Sequence, residues 1–222
     1  MVIKITRVLV LAALLSVGAA GCHLASAAST ALPAPLTDES VPPAKGTRTA
    51  VVAGGCFWGI QAVFQHVKGV VSATSGYSGG TAASAHYEIV SSGTTEHAES
   101  VKITYDPTQI TYGQLLRVFL QVGHDPTELD RQGPDTGIQY RSVIFYANPE
   151  QQRVAEAYLA QLRETSAFAR PIVTRVTPLK AFYDAEDYHQ DYARRHPHDL
   201  YIVYNDAPKV ENLKREFPEL YK

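Results

Sequence analysis

Ala50-Val51-Val52-Ala53-Gly54-Gly55-Cys56-Phe57-Trp58-Gly59-Ile60 is the stretch on which the fold turns. Its first four residues are apolar and strand-prone. Ile60, Val63, Phe64 and Val67 then recur at three- and four-residue spacing, one face of a helix. Cys56 therefore sits at a strand-to-helix junction. There it meets the free N–H groups of the first helical turn and the positive end of the helix dipole. Both favour the thiolate, which is the nucleophilic form. The flanking glycines let a reactant approach the backbone closely. A buried small hydrophobe is the commoner fate of a free cysteine. A glycine-bracketed turn followed by Phe57 and Trp58 favours a reactive one.

Around this turn the chain alternates strands and helices without a regular βαβ rhythm, which predicts an α+β fold. Residues 70–77 read as a strand that runs into a loop at Gly76-Tyr77-Ser78-Gly79-Gly80. Glu99 to Tyr105 alternates cleanly, with Val101, Ile103 and Tyr105 on one side, and Asp106-Pro107 stops it. Thr111 to Val122 reads as a helix with Thr111 as N-cap and Leu115, Leu116, Phe119, Leu120 and Val122 inward. His124 to Gly137 is a loop long enough to carry function. Ser142–Tyr146 and Ile172–Val176 read as strands. Pro149–Glu164 is a helix with a Val154, Tyr158, Leu162 stripe. Ala185–Arg195 reads as a helix, and the rest as a polar tail bearing tyrosines.

The composition is ordinary for a globular protein: 222 residues, 45% hydrophobic and 19% charged. A net charge of -2 and a pI near 6.4 leave no broad basic surface, so nucleic acid is not an expected partner. Lys4 and Arg7 precede an apolar run, Val8 to Ala20, too short for a comfortable membrane span. It ends in Ala19-Ala20-Gly21-Cys22, similar to a bacterial lipobox, in which the cysteine is acylated. The competing reading is ordinary cleavage after Ala25-Ser26-Ala27. Both carry the protein out of the cytoplasm, to the periplasmic side of a bacterial envelope. The first, which is favoured, adds a lipid anchor in the membrane. The expected organisation is a signal peptide at 1–21, an Ala/Ser/Pro-rich tether at 22–46 and a catalytic domain at 47–222, monomeric on its tether.

The chain has two cysteines. If Cys22 is acylated or cleaved away, Cys56 has no intramolecular partner. The one methionine is Met1, which is either an accident of composition or a fit to surroundings that oxidise methionine. His124, His189, His196 and His198 do not have convincing metal-ligand spacing, and they read as surface and capping histidines.

Tyr87, Glu99, Asp135 and Tyr140 join Cys56 in or beside loops. Gly54-Gly55-Cys56-Phe57-Trp58-Gly59, Gly76-Tyr77-Ser78-Gly79-Gly80, His97-Ala98-Glu99, His124-Asp125-Pro126-Thr127 and the run Gln132 to Ser142 follow one another in order. Taken together they resemble the signatures of the A-type peptide methionine sulfoxide reductases, from about Ala50 to His196. Methionine sulfoxide repair is divided between two enzyme types, one for each epimer.

The resemblance implies a two-layer α+β sandwich with a mixed sheet and a ferredoxin-like βαβ core. It implies reduction of the S epimer in proteins and as the free amino acid. Cys56 would attack the sulfoxide sulfur. Glu99, kept neutral by burial, would protonate the oxygen. Tyr87 and Tyr140 would donate hydrogen bonds to that oxygen, and Phe57 and Trp58 would wall a pocket for the S-methyl group. Asp135 would fix the surrounding hydrogen bonds. No cofactor or metal is implied.

The sequence departs from the commonest pattern of that family in two places. Tyr201 to Lys222 contains no resolving cysteine, so a Cys56 sulfenic acid would need an external thiol, from a thioredoxin-like or glutaredoxin-like protein or a small molecule. Glu96 stands where relatives often have glycine, adding a carboxylate near the expected site. Two rival readings are a cysteine-dependent thiol peroxidase and a non-catalytic peptide-binding lipoprotein. The apolar Phe57-Trp58 wall argues against the first, and the pairing of Cys56 with Glu99 against the second.

Overall fold

The structure is a computed structural model that describes residues 31–40 and 46–222. The signal peptide, Cys22 and most of the tether lie outside the described residues. In chain order the elements are β1 (Arg48–Ala53), α1 (Phe57–Gln65), β2 (Val70–Ser78), α2 (Tyr87–Val90), β3 (Ala98–Tyr105), α3 (Tyr112–Val118), β4 (Arg131–Gln132) and β5 (Asp135–Thr136). They continue with β6 (Val143–Tyr146), α4 (Pro149–Glu164), β7 (Arg175–Pro178), β8 (Phe182–Asp184), α5 (Tyr192–Arg195) and α6 (Ala207–Glu216).

One six-stranded mixed sheet has the order β7-β6-β1-β3-β2-β8. β3 runs antiparallel to both β1 and β2, from Arg48↔Tyr105 to Ala53↔Ser100 on one side and from Val70↔Tyr105 to Ser78↔Ala98 on the other. The unit β1–α1–β2 is therefore a split βαβ with β3 threaded between its strands. β6 and β7 are parallel neighbours joined through α4. The architecture is α+β, as the mixed strand and helix pattern predicted.

Alternation decides which layer each strand residue enters. Ala50, Val52, Val101, Ile103, Tyr105 and Ile144 join the main core beneath the helices. Val51, Ala53, Ala98, Val143 and Phe145 form a smaller cluster on the other face, closed by Leu179 and Phe182. Ile60, Val63 and Phe64 of α1 are completely buried. At roughly 1.5–3 kcal/mol for each large apolar side chain, that one helical face anchors the β1–α1 turn firmly.

α3 begins at a capping box: Thr111 accepts from the Gln114 N–H, and the Gln114 side chain accepts from the Thr111 N–H. α4 is capped by Asn148, with Pro149 in its first turn.

Four local expectations change. The predicted helix from Thr111 to Val122 is helical, but α3 gives way to a π-turn at Phe119–Gly123. The strand expected at 172–176 lies at Arg175–Pro178, where it pairs with β6. The helix expected over 185–195 is broken into a 3₁₀ turn, Asp187–His189, and the short α5, because Asp191 adopts φ 55 between them. The polar tail is a π-turn, Ile202–Asp206, running into α6, and it buries Leu213 and Phe217 on the core. Val210, Leu213, Phe217 and Leu220 recur there at three- and four-residue spacing, a helical face that the charged and polar residues around it obscured.

The described part of the expected tether is also seated. Leu32 is buried, and Tyr158 Oη donates to the Pro33 carbonyl at 2.9 Å. Asp38 accepts from the Gly113 N–H and from the Thr111 hydroxyl at the start of α3. Glu39 takes the Tyr105 hydroxyl at 2.8 Å and pairs with Arg48 at 3.0 Å. Carboxylates and backbone groups hold this segment, where a composition-based reading looks for apolar area.

Candidate active site

The site is assembled at the start of α1. Cys56 is the N-cap residue, and its side chain caps no N–H group in the usual way. The Phe57 N–H donates to Glu99 Oε2 at 3.1 Å. One of the free donors that begin every helix is thus taken by the acid. Glu99 reaches this place because it shares the inward face of β3 with Val101, Ile103 and Tyr105. It is 2% exposed.

Burial sets the charge states. The Glu99 carboxyl is pushed up to about 8, chiefly by desolvation, with the Asp135 and Asp206 charges adding and the Phe57 N–H opposing. A free carboxyl ionises near 4.5, so between those values the unfolded chain holds fewer protons and stability falls as pH rises. Cys56 is also pushed well up, first by burial and then by Glu99 and Asp206. This overturns the expectation from the helix start alone. The nearby Trp58 N–H does favour the thiolate, but desolvation of the buried sulfur outweighs it.

The glycines around Cys56 serve the protein's own packing. Gly55 has φ +92, and a Cβ there would come within 2.6 Å of the Gln132 side chain. A Cβ on Gly54 would lie 2.6 Å from the His124 ring. Close approach is required, as the sequence suggested, but by Gln132 and His124 instead of a reactant. His124 is buried: Nδ1–H donates to the Phe119 carbonyl and Nε2 accepts from Ser142 Oγ at 2.6 Å. Burial lowers it to about 4, so stability is lost as pH falls from 6.5 toward that value.

The other predicted residues converge here. Tyr87 is half-buried at the start of α2, its N–H held by Glu186 at 2.9 Å. Tyr140 ends a 3₁₀ turn, and its carbonyl accepts the Gly55 N–H at 3.0 Å. Both phenols have raised pKa values, through burial first and then Glu99. Neither hydroxyl has a hydrogen-bond partner among the described residues. Phe57 is buried against Tyr77 and His189, and Trp58 is half-exposed. Asp135 accepts from the Tyr201 hydroxyl at 2.5 Å. Glu96 is exposed and belongs elsewhere, lining a cavity of about 320 Å³ with Arg141, Arg175 and Lys180.

Several residues of the site were not foreseen. Tyr192 stacks on Trp58 at 3.7 Å with the rings 9° from parallel, and Tyr201 meets it edge-on at 5.9 Å. His189, read as a surface or capping group, is 2% exposed and accepts the Trp58 indole N–H at 3.2 Å. Glu186 holds both the Tyr77 hydroxyl and the Tyr87 N–H. The crowding of tyrosines after Phe182 was the available signal: rings at that density in a polar segment need apolar partners. Among the described residues no three His, Cys, Asp or Glu side chains are grouped to hold a metal.

Fold and site together define an α+β oxidoreductase built around a cysteine. A model of the family described as peptide methionine sulfoxide reductase matches residues 48–220. A relative from Mesorhizobium japonicum, peptide methionine sulfoxide reductase MsrA 2, is 56% identical over 184 residues, covering 83% of this chain and 93% of the relative. The protein of the same name from Synechocystis sp. is 49% identical over 206 residues, covering 92% and 96%. The solved methionine sulfoxide reductase A of Corynebacterium diphtheriae superposes with a TM-score of 0.60 at 37% identity, over 72% of this chain and 78% of that one. The chain belongs to the peptide methionine sulfoxide reductase family, within its A type.

Proposed function

We propose that the protein reduces the S epimer of methionine sulfoxide, in oxidised proteins and peptides and as the free amino acid. Cys56 is the nucleophile, Glu99 the proton donor, and an external thiol closes the cycle. One observation carries this reading: Glu99 is bound by the Phe57 N–H, the residue next to Cys56, and acid and thiol are buried together at the start of α1, so both address a single S–O bond.

Cys56 sulfur forms a bond to the sulfoxide sulfur while Glu99 gives its proton to the oxygen. The carboxylate left behind takes the thiol proton. The hydroxyl then passes to Cys56 as the sulfur–sulfur bond breaks. Methionine leaves reduced by two electrons, and Cys56 remains as a sulfenic acid. Two external thiols return it to the thiol, releasing a disulfide and water. No metal or organic cofactor enters this cycle. The unpaired hydroxyls of Tyr87 and Tyr140 donate to the oxygen as it gains charge, each worth about 3 kcal/mol of barrier. Phe57 and Trp58, with the stacked Tyr192, receive the S-methyl group. Asp135 holds Tyr201 against that wall.

The C-terminal segment contains no cysteine and is folded back on α1, so it offers Cys56 no thiol of its own. The reductant is accordingly a thioredoxin-like or glutaredoxin-like protein, or a small thiol.

Turnover of each epimer with a chemical thiol tests the reading. Wild type should consume the S epimer and Cys56→Ser should consume neither. Glu99→Gln should be slower by about a hundredfold. Wild-type rates should fall above pH 8 as Glu99 loses its proton, and that limb should vanish in Glu99→Gln. Full activity in Cys56→Ser, or use of the R epimer alone, would sink the proposal.

A further inference from the structure

His189 is 2% exposed and lies among the site residues, yet no step of the proposed cycle uses it. Its ring centroid is 5.1 Å from that of Phe57, 4.4 Å from Tyr87 and 4.2 Å from Tyr188. Its Nδ1 faces the Trp58 indole N–H at 3.2 Å. An indole nitrogen only donates, so Nδ1 is the acceptor and Nε2 carries the proton of a neutral imidazole. Nε2–H is buried with no hydrogen-bond partner among the described residues. A buried unpaired donor costs stability, so an apolar side chain of similar size would sit there at less cost. What the imidazole supplies, and such a side chain does not, is the acceptor at Nδ1.

Trp58 has a use for that acceptor. Its indole stacks on Tyr192 at 3.7 Å with the rings 9° from parallel. A stack fixes the plane of a ring but leaves it free to slide or turn within that plane. A hydrogen bond is directional and removes this freedom. The 3₁₀ turn Asp187–His189 supplies the directional hold and α5 the stack, so the two act on the indole from one short segment after β8.

We propose that His189 is a positioning residue of the substrate pocket: its Nδ1 holds the Trp58 indole at the angle that receives the S-methyl group. The proposal rests on the reading of Phe57 and Trp58 as that pocket and adds what orients it. The bond exists only while Nδ1 is free of a proton, because a protonated Nδ1 and the indole N–H are both donors. The titratable groups around the ring are Glu186 and Tyr188 on its own turn and Tyr87 from α2. Only His189 among them becomes a cation as pH falls below 6.5. Burial holds its ionisation below that ordinary value, and the Glu186 charge opposes burial.

The chain has one tryptophan, so tryptophan fluorescence of the full chain reads the surroundings of Trp58 alone. It needs no turnover, so it reads the His189–Trp58 bond separately from the activity assay. Wild-type inactivity toward both epimers is a failure of the functional reading itself. In wild type the emission should titrate below pH 6.5, and KM for the S epimer with a chemical thiol should rise along the same curve. His189→Asn sets an amide oxygen near the place of Nδ1 and does not titrate. It should keep KM within about twofold of wild type at neutral pH, hold it flat as pH falls, and abolish the emission titration. His189→Leu should raise KM about tenfold at neutral pH with kcat and the thermal midpoint nearly constant, the pattern of binding lost equally from ground and transition states. A merely structural role would lower kcat and the midpoint together. That outcome, an emission titration that survives in His189→Asn, or a wild-type KM in His189→Leu would overturn the proposal. If His189→Leu does not fold, the flat KM and the lost titration of His189→Asn decide.

Discussion

Residues 31–40 and residues 201–222 are both polar, proline-bearing ends, and the fold seats them by different physics. Apart from Leu32, which is buried in the core, the first is held by directed polar bonds: Asp38 on the start of α3, Glu39 on Tyr105 and Arg48, and backbone groups on Gln161 and Tyr158. It touches none of the site residues. The second is held by apolar burial, with Leu213 and Phe217 sunk in the core beside α1. From those anchors it delivers Tyr201 to Trp58 and Asp135, and Asp206 and Lys209 to the Cys56 turn. The comparison separates a fastening from a working part. Loosening the first should cost stability alone, whereas disturbing the second should reach the chemistry.

The largest effect is expected from Phe217→Ala. Emptying a completely buried ring should cost about 3–5 kcal/mol in denaturant unfolding, and turnover with a chemical thiol should fall with it. Retained turnover in the folded fraction would show that α6 is only a fastening. Glu39→Ala comes next. It strips the buried Tyr105 hydroxyl and Arg48 of their acceptor and should cost about 2–3 kcal/mol, with kcat/KM per folded molecule unchanged. A tenfold fall in kcat/KM there would erase the distinction between the two ends. The smallest effect is Tyr201→Phe, which removes one hydroxyl from Asp135. It should lower kcat/KM about tenfold, or ~1.4 kcal/mol of barrier, with the unfolding midpoint nearly constant. A drop in stability without a drop in rate would move Tyr201 out of the working part.

What was legible in the sequence follows from local rules. The β1–α1 junction, the alternation of β3, the Thr111 N-cap and the Val154, Tyr158, Leu162 stripe each depend on neighbours a few residues away, and all are present in the fold. Cys56, Phe57, Trp58, Tyr87, Glu99, Asp135 and Tyr140 carried motif signals, and they come together around one helix start. His189, Asp206 and Lys209 carried none, and Tyr192 and Tyr201 only the crowding of tyrosines after Phe182. Their partners on α1 lie far away in sequence, and contacts of that range leave no periodicity to read. Glycine was half legible: the need for close approach was visible at Gly54 and Gly55, but which atoms approach was not.

By itself, then, the sequence determined the α+β class, the strand-to-helix turn and the thiol and acid it carries, because periodicity and turn chemistry act over one or two helical turns. The tertiary structure alone decided the protonation of that pair. A helix start argues for a thiolate, and burial reverses it; for Glu99 the same burial raises the carboxyl as the resemblance implied, since desolvation depends on everything packed around a group and not on its neighbours along the chain.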